Sequence, residues 1–263
     1  PRRRDGRPRR EMGDRKGGHH LIRRVRQMLA VAALLTRGSL RQPLVYVSIV
    51  SIPLSYFLLM TLLEGVKLGL HALLGAAVAF GFNAGVVSLP QIVLMYRFRR
   101  LQEMMLAGPV SPLIYLVGVA VSRLLFMAPG LLALILVLAW IGGMALHQLL
   151  VIMLLMLLSW FIGSLLGFVL ASMWENPVTV SSAANMAGLL MILLPPVYYP
   201  ADLLPASLRW LVTIIPTANI AELMRLVAGV SSVDPAQGAV QVGILGLVAA
   251  LAIWYVSRKP QMA

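Results

Sequence analysis

Six long apolar stretches, separated by short polar segments, constrain the fold of this chain more than any other feature. They cover approximately residues 43–63, 71–95, 112–140, 148–173, 178–198 and 239–255. An α-helix needs about 20 mainly apolar residues to cross roughly 30 Å of bilayer hydrocarbon, and each stretch is about that long. Charged residues make up only 12% of the sequence, about half the roughly 25% of a soluble domain. We therefore predict an all-α polytopic membrane protein with six transmembrane helices.

Positive charge is concentrated before the first apolar stretch, where more than half of the 22 Lys and Arg residues lie. Composition predicts a basic, disordered arm over residues 1–20. Apolar residues at helical spacing over 21–42, with arginines opposite them, predict an amphipathic helix on the membrane interface. Residues 43–263 then form the six-span domain. Beside so apolar a body, the basic arm is expected to contact anionic lipid rather than nucleic acid.

The short loops predict the orientation of the spans. The arm, the loop after the second span and the tail with Arg258 and Lys259 carry most of the basic residues. The basic residues of the opposite loops are Lys67, Arg209 and Arg225. The positive-inside rule therefore places both termini in the cytoplasm, with the chain in the cell membrane. No apolar core with a cleavage site follows the basic start, so we expect no cleavable signal peptide; the start at Pro1 leaves room for an upstream segment.

The cytoplasmic loop between the second and third spans contains a short helix, predicted over 101–106 and stopped by Gly108-Pro109. One interpretation is a basic loop that only sets topology, and spacing alone favours it. The other is a knob that docks into a cytoplasmic partner, with methionines as adaptable apolar contacts. The candidate docking residues are Arg97, Arg99, Arg100, Glu103, Met104 and Met105.

Residues 193–225 predict a helical hairpin in the outer membrane interface, just before the last span. Pro195-Pro196, Pro205 and Pro216 each stop or bend a helix. The aromatic residues Tyr198, Tyr199 and Trp210 suit the membrane–water boundary. Glu222 and Arg225 lie three residues apart, a spacing at which helical neighbours can pair, so structural pairing is favoured over substrate binding.

A few polar residues lie within the spans. Asn83 on the second span and Ser182 and Asn185 on the fifth are candidates for a translocation path or a dimer interface. Gly81, Gly85 and Ser88 share a face of the second span, and close helix packing is the commoner reason for such residues. For Arg123 in the third span, we favour snorkelling to the cytoplasmic headgroups.

Catalytic functions receive little support. The chain has no cysteine. Its four histidines are His19, His20, His71 and His147, none deep enough in a span to activate Ser164. No phosphate-binding loop with the Gly-x-x-x-x-Gly-Lys-Ser/Thr pattern is present. We expect no catalytic site, no metal site and no cofactor bound by this chain.

The order of these elements resembles the membrane subunit of type-2 ATP-binding-cassette exporters. In the first cytoplasmic loop, Arg99 to Ser111 matches the end of the family pattern, without its leading Glu and Gly-Thr pair. The hairpin matches more closely, through Tyr198-Tyr199-Pro200, the segment Leu204-Pro205-Ala206-Ser207-Leu208-Arg209-Trp210-Leu211, and Pro216-Thr217 followed by Glu222-Leu223-Met224-Arg225. Ile215 replaces the usual Asn.

The resemblance implies a permease that pairs with a second copy, identical or not, and with two ATPase subunits that bind ATP and Mg²⁺. The docking helix would couple ATP hydrolysis to the spans, and the hairpin would form or gate the outer exit. A stand-alone channel or an ion-coupled carrier is the alternative, and a non-transporting scaffold is a third. The sequence does not indicate the substrate.

Overall fold

The structure, a computed structural model, describes residues 43–91, 94, 112–174, 176–231 and 235–257. Every regular element in these ranges is helical. The helices are α1 (Pro43–Glu64), α2 (Val66–Asn83), α3 (Pro112–Gly142), α4 (Leu146–Ala171), α5 (Pro177–Leu193), α6 (Trp210–Ile214), α7 (Pro216–Val227) and α8 (Pro235–Ser257). A π-helix, Ala84–Ser88, extends α2, and two 3₁₀ turns, Ala201–Leu203 and Ala206–Leu208, lie between α5 and α6.

Three helical segments in the described ranges are long and apolar enough to cross a membrane: Val66–Gln91, Gly118–Gly142 and Leu146–Ala171. The all-α prediction is confirmed for these ranges, while the count of six spans stays a prediction. The predicted arm (1–20), interface helix (21–42) and docking helix (101–106) lie outside the described residues.

Two helix ends differ from the sequence prediction for identifiable reasons. α2 begins at Val66 rather than at His71, directly after Gly65, whose positive φ of 88° makes the turn from α1. Lys67 remains exposed in this first turn, so the charge does not prevent the helix from starting there. α5 ends at Leu193 rather than at Tyr198. Pro195 and Pro196 lack the amide hydrogens that a longer helix would need, and each disfavours helix in the residue before it.

α2 and α4 cross at van der Waals contact because glycines line their interface. A Cβ added at Gly85 would lie 2.3 Å from the Trp160 carbonyl oxygen, and one at Gly81 would lie 2.8 Å from that of Met156. From the other side, a Cβ at Gly163 would lie 2.4 Å from the Phe82 carbonyl oxygen. The Ser159 hydroxyl donates to the Val78 carbonyl oxygen across the same contact, at 2.9 Å. Close packing therefore explains the small residues on this face of α2.

The hairpin lies at the same end of the bundle as the α1–α2 and α3–α4 turns. A Cβ at Gly75 in α2 would lie 1.9 Å from the Val197 carbonyl oxygen, so the backbone after α5 rests directly on α2. At the start of α4, the Gln148 side-chain amide donates to the Val227 carbonyl oxygen at 2.8 Å. The end of α7 is thereby attached to the α3–α4 turn.

Candidate functional site

Arg225 is the centre of a buried polar cluster under the hairpin. The residue is 0% exposed, although it carries the longest charged side chain of its helix. Its Nη1 donates to the Pro196 carbonyl oxygen at 3.1 Å, and its Nη2 donates to that of Val197. The same Nη1 lies 3.0 Å from Oε2 of Glu222, which is 3% exposed. We call Arg225, Glu222, Ser231 and the carbonyls of Pro196 and Val197 the polar latch.

The latch provides hydrogen-bond donors to two backbone carbonyls in the turn that follows α5. After α5 the chain turns through Pro195 and Pro196, which have no amide hydrogen to offer. A buried carbonyl without a partner costs about 1–3 kcal/mol. The guanidinium supplies the missing donors from a helix 28 or 29 residues further along the chain.

Glu222 balances the charge of Arg225 within α7. Its second oxygen, Oε1, accepts a hydrogen bond from the Ser231 hydroxyl, which lies just beyond the end of α7. The carboxylate thus has a cation on one oxygen and a hydroxyl donor on the other, as a buried charge requires. The ion pair that the three-residue spacing predicts is present.

α7 itself is a core helix, and residues 217–225 are buried without interruption. Of its other polar residues, Asn219 was not singled out from the sequence, and Thr217 was named only as part of the family pattern. The Thr217 hydroxyl donates to the Met191 carbonyl oxygen in α5. The Asn219 amide donates at 3.2 Å to the carbonyl oxygens of both Thr213 in α6 and Gln241 in α8. Their position in the first turn after Pro216 was the available signal.

The first half of the hairpin is much more exposed than α7. Trp210 is 54% exposed, and Leu203, Leu208 and Ile214 are exposed apolar residues beside it. Tyr198 and Tyr199, nearer the latch, are partly buried. The hairpin therefore divides into a largely exposed segment, 201–214, in which Val212 is buried, and a buried return, α7. The placement of Tyr198, Tyr199 and Trp210 at the membrane–water boundary stays a prediction.

A cavity of about 340 Å³ between α2, α3 and α5 brings together three polar residues that the sequence assigned to different spans. Asn83, Arg123 and Asn185 all line it. Ser88 lines it as well, rather than continuing the face of Gly81 and Gly85, because the π-helix Ala84–Ser88 changes the number of residues per turn.

The cavity residues are supported by contacts between helices. A Cβ added at Gly188 of α5 would lie 2.6 Å from Oδ1 of Asn83, so that amide rests on the glycine. Ser182 is exposed and does not line the cavity. Its neighbour Ser181 instead accepts a hydrogen bond from the Gln91 side-chain amide, at 2.8 Å.

The remaining sequence candidates are Ser164 and the predicted docking residues. The Ser164 hydroxyl donates to the Trp160 carbonyl oxygen one turn back, at 2.7 Å. Within the part of the chain that the structure describes, no three His, Cys, Asp or Glu side chains are grouped as metal ligands. The docking candidates Arg97, Arg99, Arg100, Glu103, Met104 and Met105 lie outside the described residues.

One family model matches this chain. Its description is "ABC-2 type transporter", and the match covers residues 26–228, well over half of the 263 residues. The matched range includes α1 to α7, and with them the three walls of the cavity and all of the polar latch except Ser231. No curated protein matches the chain significantly.

Proposed function

We propose that this chain, which belongs to the ABC-2 type transporter family, is the permease subunit of an ATP-driven exporter and forms the path through which its substrate crosses the membrane. The family match over residues 26–228 is the observation that carries the proposal. The long apolar helices and the order of elements in the hairpin support it.

ATP hydrolysis is expected on a separate subunit, with ATP and Mg²⁺ bound there, because this sequence has no phosphate-binding loop. Arg97, Arg99 and Arg100, with Glu103, Met104 and Met105, would dock into that subunit. ATP can move the spans only if it favours one of their arrangements over another. The docked helix would transmit that preference to α2 and α3, which flank it in the chain.

The orientation proposed for the permease places both termini in the cytoplasm of a six-span subunit. The burial of Arg225 in α7 supports this orientation, because a buried, paired arginine is not a loop charge. Lys67 and Arg209 then remain as the basic residues on the side opposite the arm. The excess of basic residues on the cytoplasmic side is therefore larger than it is when Arg225 is counted as a loop residue.

We further propose that the exposed segment 201–214 gates the outer exit, while α7 is its fixed support. The polar latch ties α7 to the end of α5, and Asn219 ties it to α6 and α8. A movable gate needs a rigid base, and segments that move are drawn from the least buried parts of a fold. Tyr198, Tyr199 and Trp210 would hold the hairpin at the membrane boundary.

An ion-coupled carrier is the main alternative, and the contacts of Glu222 argue against it. Proton or cation coupling needs a carboxylate that can exchange its partner during transport. Glu222 is instead buried against Arg225 and accepts from Ser231. Transport by the chain alone in liposomes, without ATPase, would favour the carrier. A scaffold would be favoured if no substrate ever stimulated ATP turnover.

Affinity purification in mild detergent tests the proposed function. We expect a nucleotide-binding subunit to copurify with the wild-type chain, in a complex with two permease copies. The variant Arg100→Glu/Met104→Asp should insert normally but lose that subunit. Arg209→Glu/Leu208→Asp, the same chemical change on the hairpin, is the matched control and should retain it. If the docking variant keeps both its partner and its transport, the coupling proposal is wrong.

A further inference from the structure

The far end of the helical segment Val66–Gln91, which we call extended α2, is joined to α5 by a hydrogen bond between side chains. The Gln91 side-chain amide donates to the Ser181 hydroxyl oxygen at 2.8 Å, across 90 positions of sequence. Ser181 lies in the second turn of α5, and both residues are partly buried. Hydrogen bonds between polar side chains commonly join neighbouring helices in membranes. This bond therefore attaches the end of one helix to the start of another.

An apolar contact lies three residues further along the chain. Leu94 packs with Ala171 and Val180 in one buried cluster. Ala171 is the last residue of α4, and Val180 lies in the first turn of α5. Leu94 comes three residues before Arg97, where the predicted docking segment, 97–105, begins. The chain that leads into the docking segment thus contacts both α4 and α5.

Close backbone packing strengthens the same attachment. A Cβ added at Gly167 of α4 would lie 3.0 Å from the carbonyl oxygens of Gly85 and Val86. One added at Gly188 of α5 would lie 3.3 Å from Cγ1 of Val86. Interfaces packed this closely deform little and transmit strain. We therefore expect the end of extended α2 to move together with α4 and α5.

α3 meets this part of extended α2 across the cavity. Val87 and Ser88 belong to extended α2, Phe126 and Met127 belong to α3, and all four line the cavity. Its volume of about 340 Å³ leaves space between the two helices at this level. A movement of extended α2 can be taken up there by the cavity, whereas at α5 it meets packed atoms.

We propose that Gln91 and Ser181 are positioning residues that couple the docking segment to α5, so that a displacement of this segment moves α5 together with extended α2. The proposal rests on the proposed docking of an ATPase subunit and extends it to a helix that is distant in sequence. α3 receives the displacement along the chain, and α5 receives it through Gln91 and Leu94. At its other end α5 leads into the polar latch, so its movement would reach the base of the hairpin.

The test follows α5 and α3 separately with a fluorescent probe. The chain has no cysteine, so a single introduced cysteine can be labelled selectively before the ATPase subunit is added. Met186→Cys places an environment-sensitive fluorophore at an exposed position of α5, and Leu125→Cys places it at an exposed position of α3. In the complex of the full-length chain with its ATPase subunit, we expect ATP to change the emission of both probes.

Two variants break the contact. Ser181→Ala removes the accepting hydroxyl, and Gln91→Ala removes the donating amide. Each should reduce the ATP-dependent emission change on α5 at least about twofold. The emission change on α3 and the copurification of the ATPase subunit should stay at wild-type levels, because the docking segment itself is intact.

Two further variants are controls. Ser181→Thr keeps a hydroxyl at the same position and should respond like wild type. Ser182→Ala removes the neighbouring hydroxyl, which is exposed, and it is the matched control for Ser181→Ala. Its α5 probe should also respond like wild type. A merely structural disturbance of α5 would affect these variants without regard to the Gln91 contact.

An unchanged α5 response in either Ser181→Ala or Gln91→Ala would overturn the proposal. Loss of the α3 response in these variants would overturn it too, because the contact would then hold the docking segment in place rather than link it to α5. An equal loss in Ser182→Ala would have the same meaning. A wild-type chain that binds no ATPase subunit would refute the proposed function and this inference with it. A wild-type response that the variants leave unaltered would refute the inference alone.

Discussion

Nη1 of Arg225 lies 3.0 Å from Oε2 of Glu222, one helical turn back along α7, and both residues are buried. The same guanidinium donates to the carbonyl oxygens of Pro196 and Val197, which follow α5. One side chain thus pairs with a carboxylate in its own helix and binds the backbone of the turn that follows another helix. The hairpin's return is fixed to the bundle through this residue.

Replacing Arg225 by methionine should destabilise the fold strongly. The change leaves Glu222 as a buried charge without its cation and leaves two carbonyls without donors. Removing one partner of a buried pair costs about 3–5 kcal/mol, which should be measurable as a lower thermal or denaturant midpoint in detergent. Glu222→Gln added to Arg225→Met should recover part of the loss, because the uncompensated charge is gone.

The control for this prediction is Arg209→Met. Arg209 is exposed, and its side chain reaches the Leu204 carbonyl oxygen only at 3.4 Å. Its removal should change the free energy of unfolding by less than about 0.5 kcal/mol. An unfolding midpoint for Arg225→Met that matches the control would contradict the role of the latch.

Gly85→Ala should separate α2 from α4. The new Cβ would lie 2.3 Å from the Trp160 carbonyl oxygen and 2.4 Å from the Ser164 nitrogen, so helix backbone must move. Overpacking of this kind costs about 1–3 kcal/mol. Gly246→Ala, in α8, meets nothing within 4 Å and should be neutral or stabilise the helix by up to about 1 kcal/mol. Unfolding midpoints of the two variants check the difference, and equal midpoints would contradict the close crossing.

Asn176→Ala should weaken the start of α5. The Asn176 side chain accepts a hydrogen bond from the Val178 amide at 2.9 Å, and Pro177 occupies the first position of the helix. Loss of an N-cap costs about 1 kcal/mol, measurable as a lower denaturant midpoint. Asn176→Asp keeps an accepting oxygen and should retain the stability of wild type. Equal stability of the Ala and Asp variants would show that the cap contributes nothing.

Removing residues 201–211 should stop export while leaving ATPase copurification intact. These residues lie in the largely exposed segment of the hairpin and do not include the residues of the latch. Because a deletion could strain α7, a second variant replaces the segment with an equally long Gly/Ser sequence. That variant should unfold at nearly the wild-type temperature and still fail to export. Normal export by either variant would refute the gate.

The sequence predicted the features that depend on neighbours along the chain. Pro195 and Pro196 correctly indicated a break in the helix there, because proline acts on its own turn, although the apolar span was predicted to continue to Tyr198. The spacing of Glu222 and Arg225 predicted their ion pair. All of these are local effects, which periodicity and spacing record directly.

Features that depend on tertiary packing could not be predicted. The contact of Arg225 with Val197 joins positions 28 residues apart, and nothing near either residue indicates the other. The cavity likewise needs α2, α3 and α5 in place before Asn83, Arg123 and Asn185 can share it. Snorkelling of Arg123 to the headgroups stays a prediction.

The donation from Arg225 to the carbonyls after α5 has a consequence for biogenesis. A ribosome releases α5 and its two prolines well before it synthesises Arg225, 29 residues after Pro196. During that interval the Pro196 and Val197 carbonyls must remain hydrated, because lipid offers them no donor. We therefore expect the insertion machinery to integrate α5 and α7 as one unit, and a nascent chain that ends before Arg225 to be recognised as incomplete.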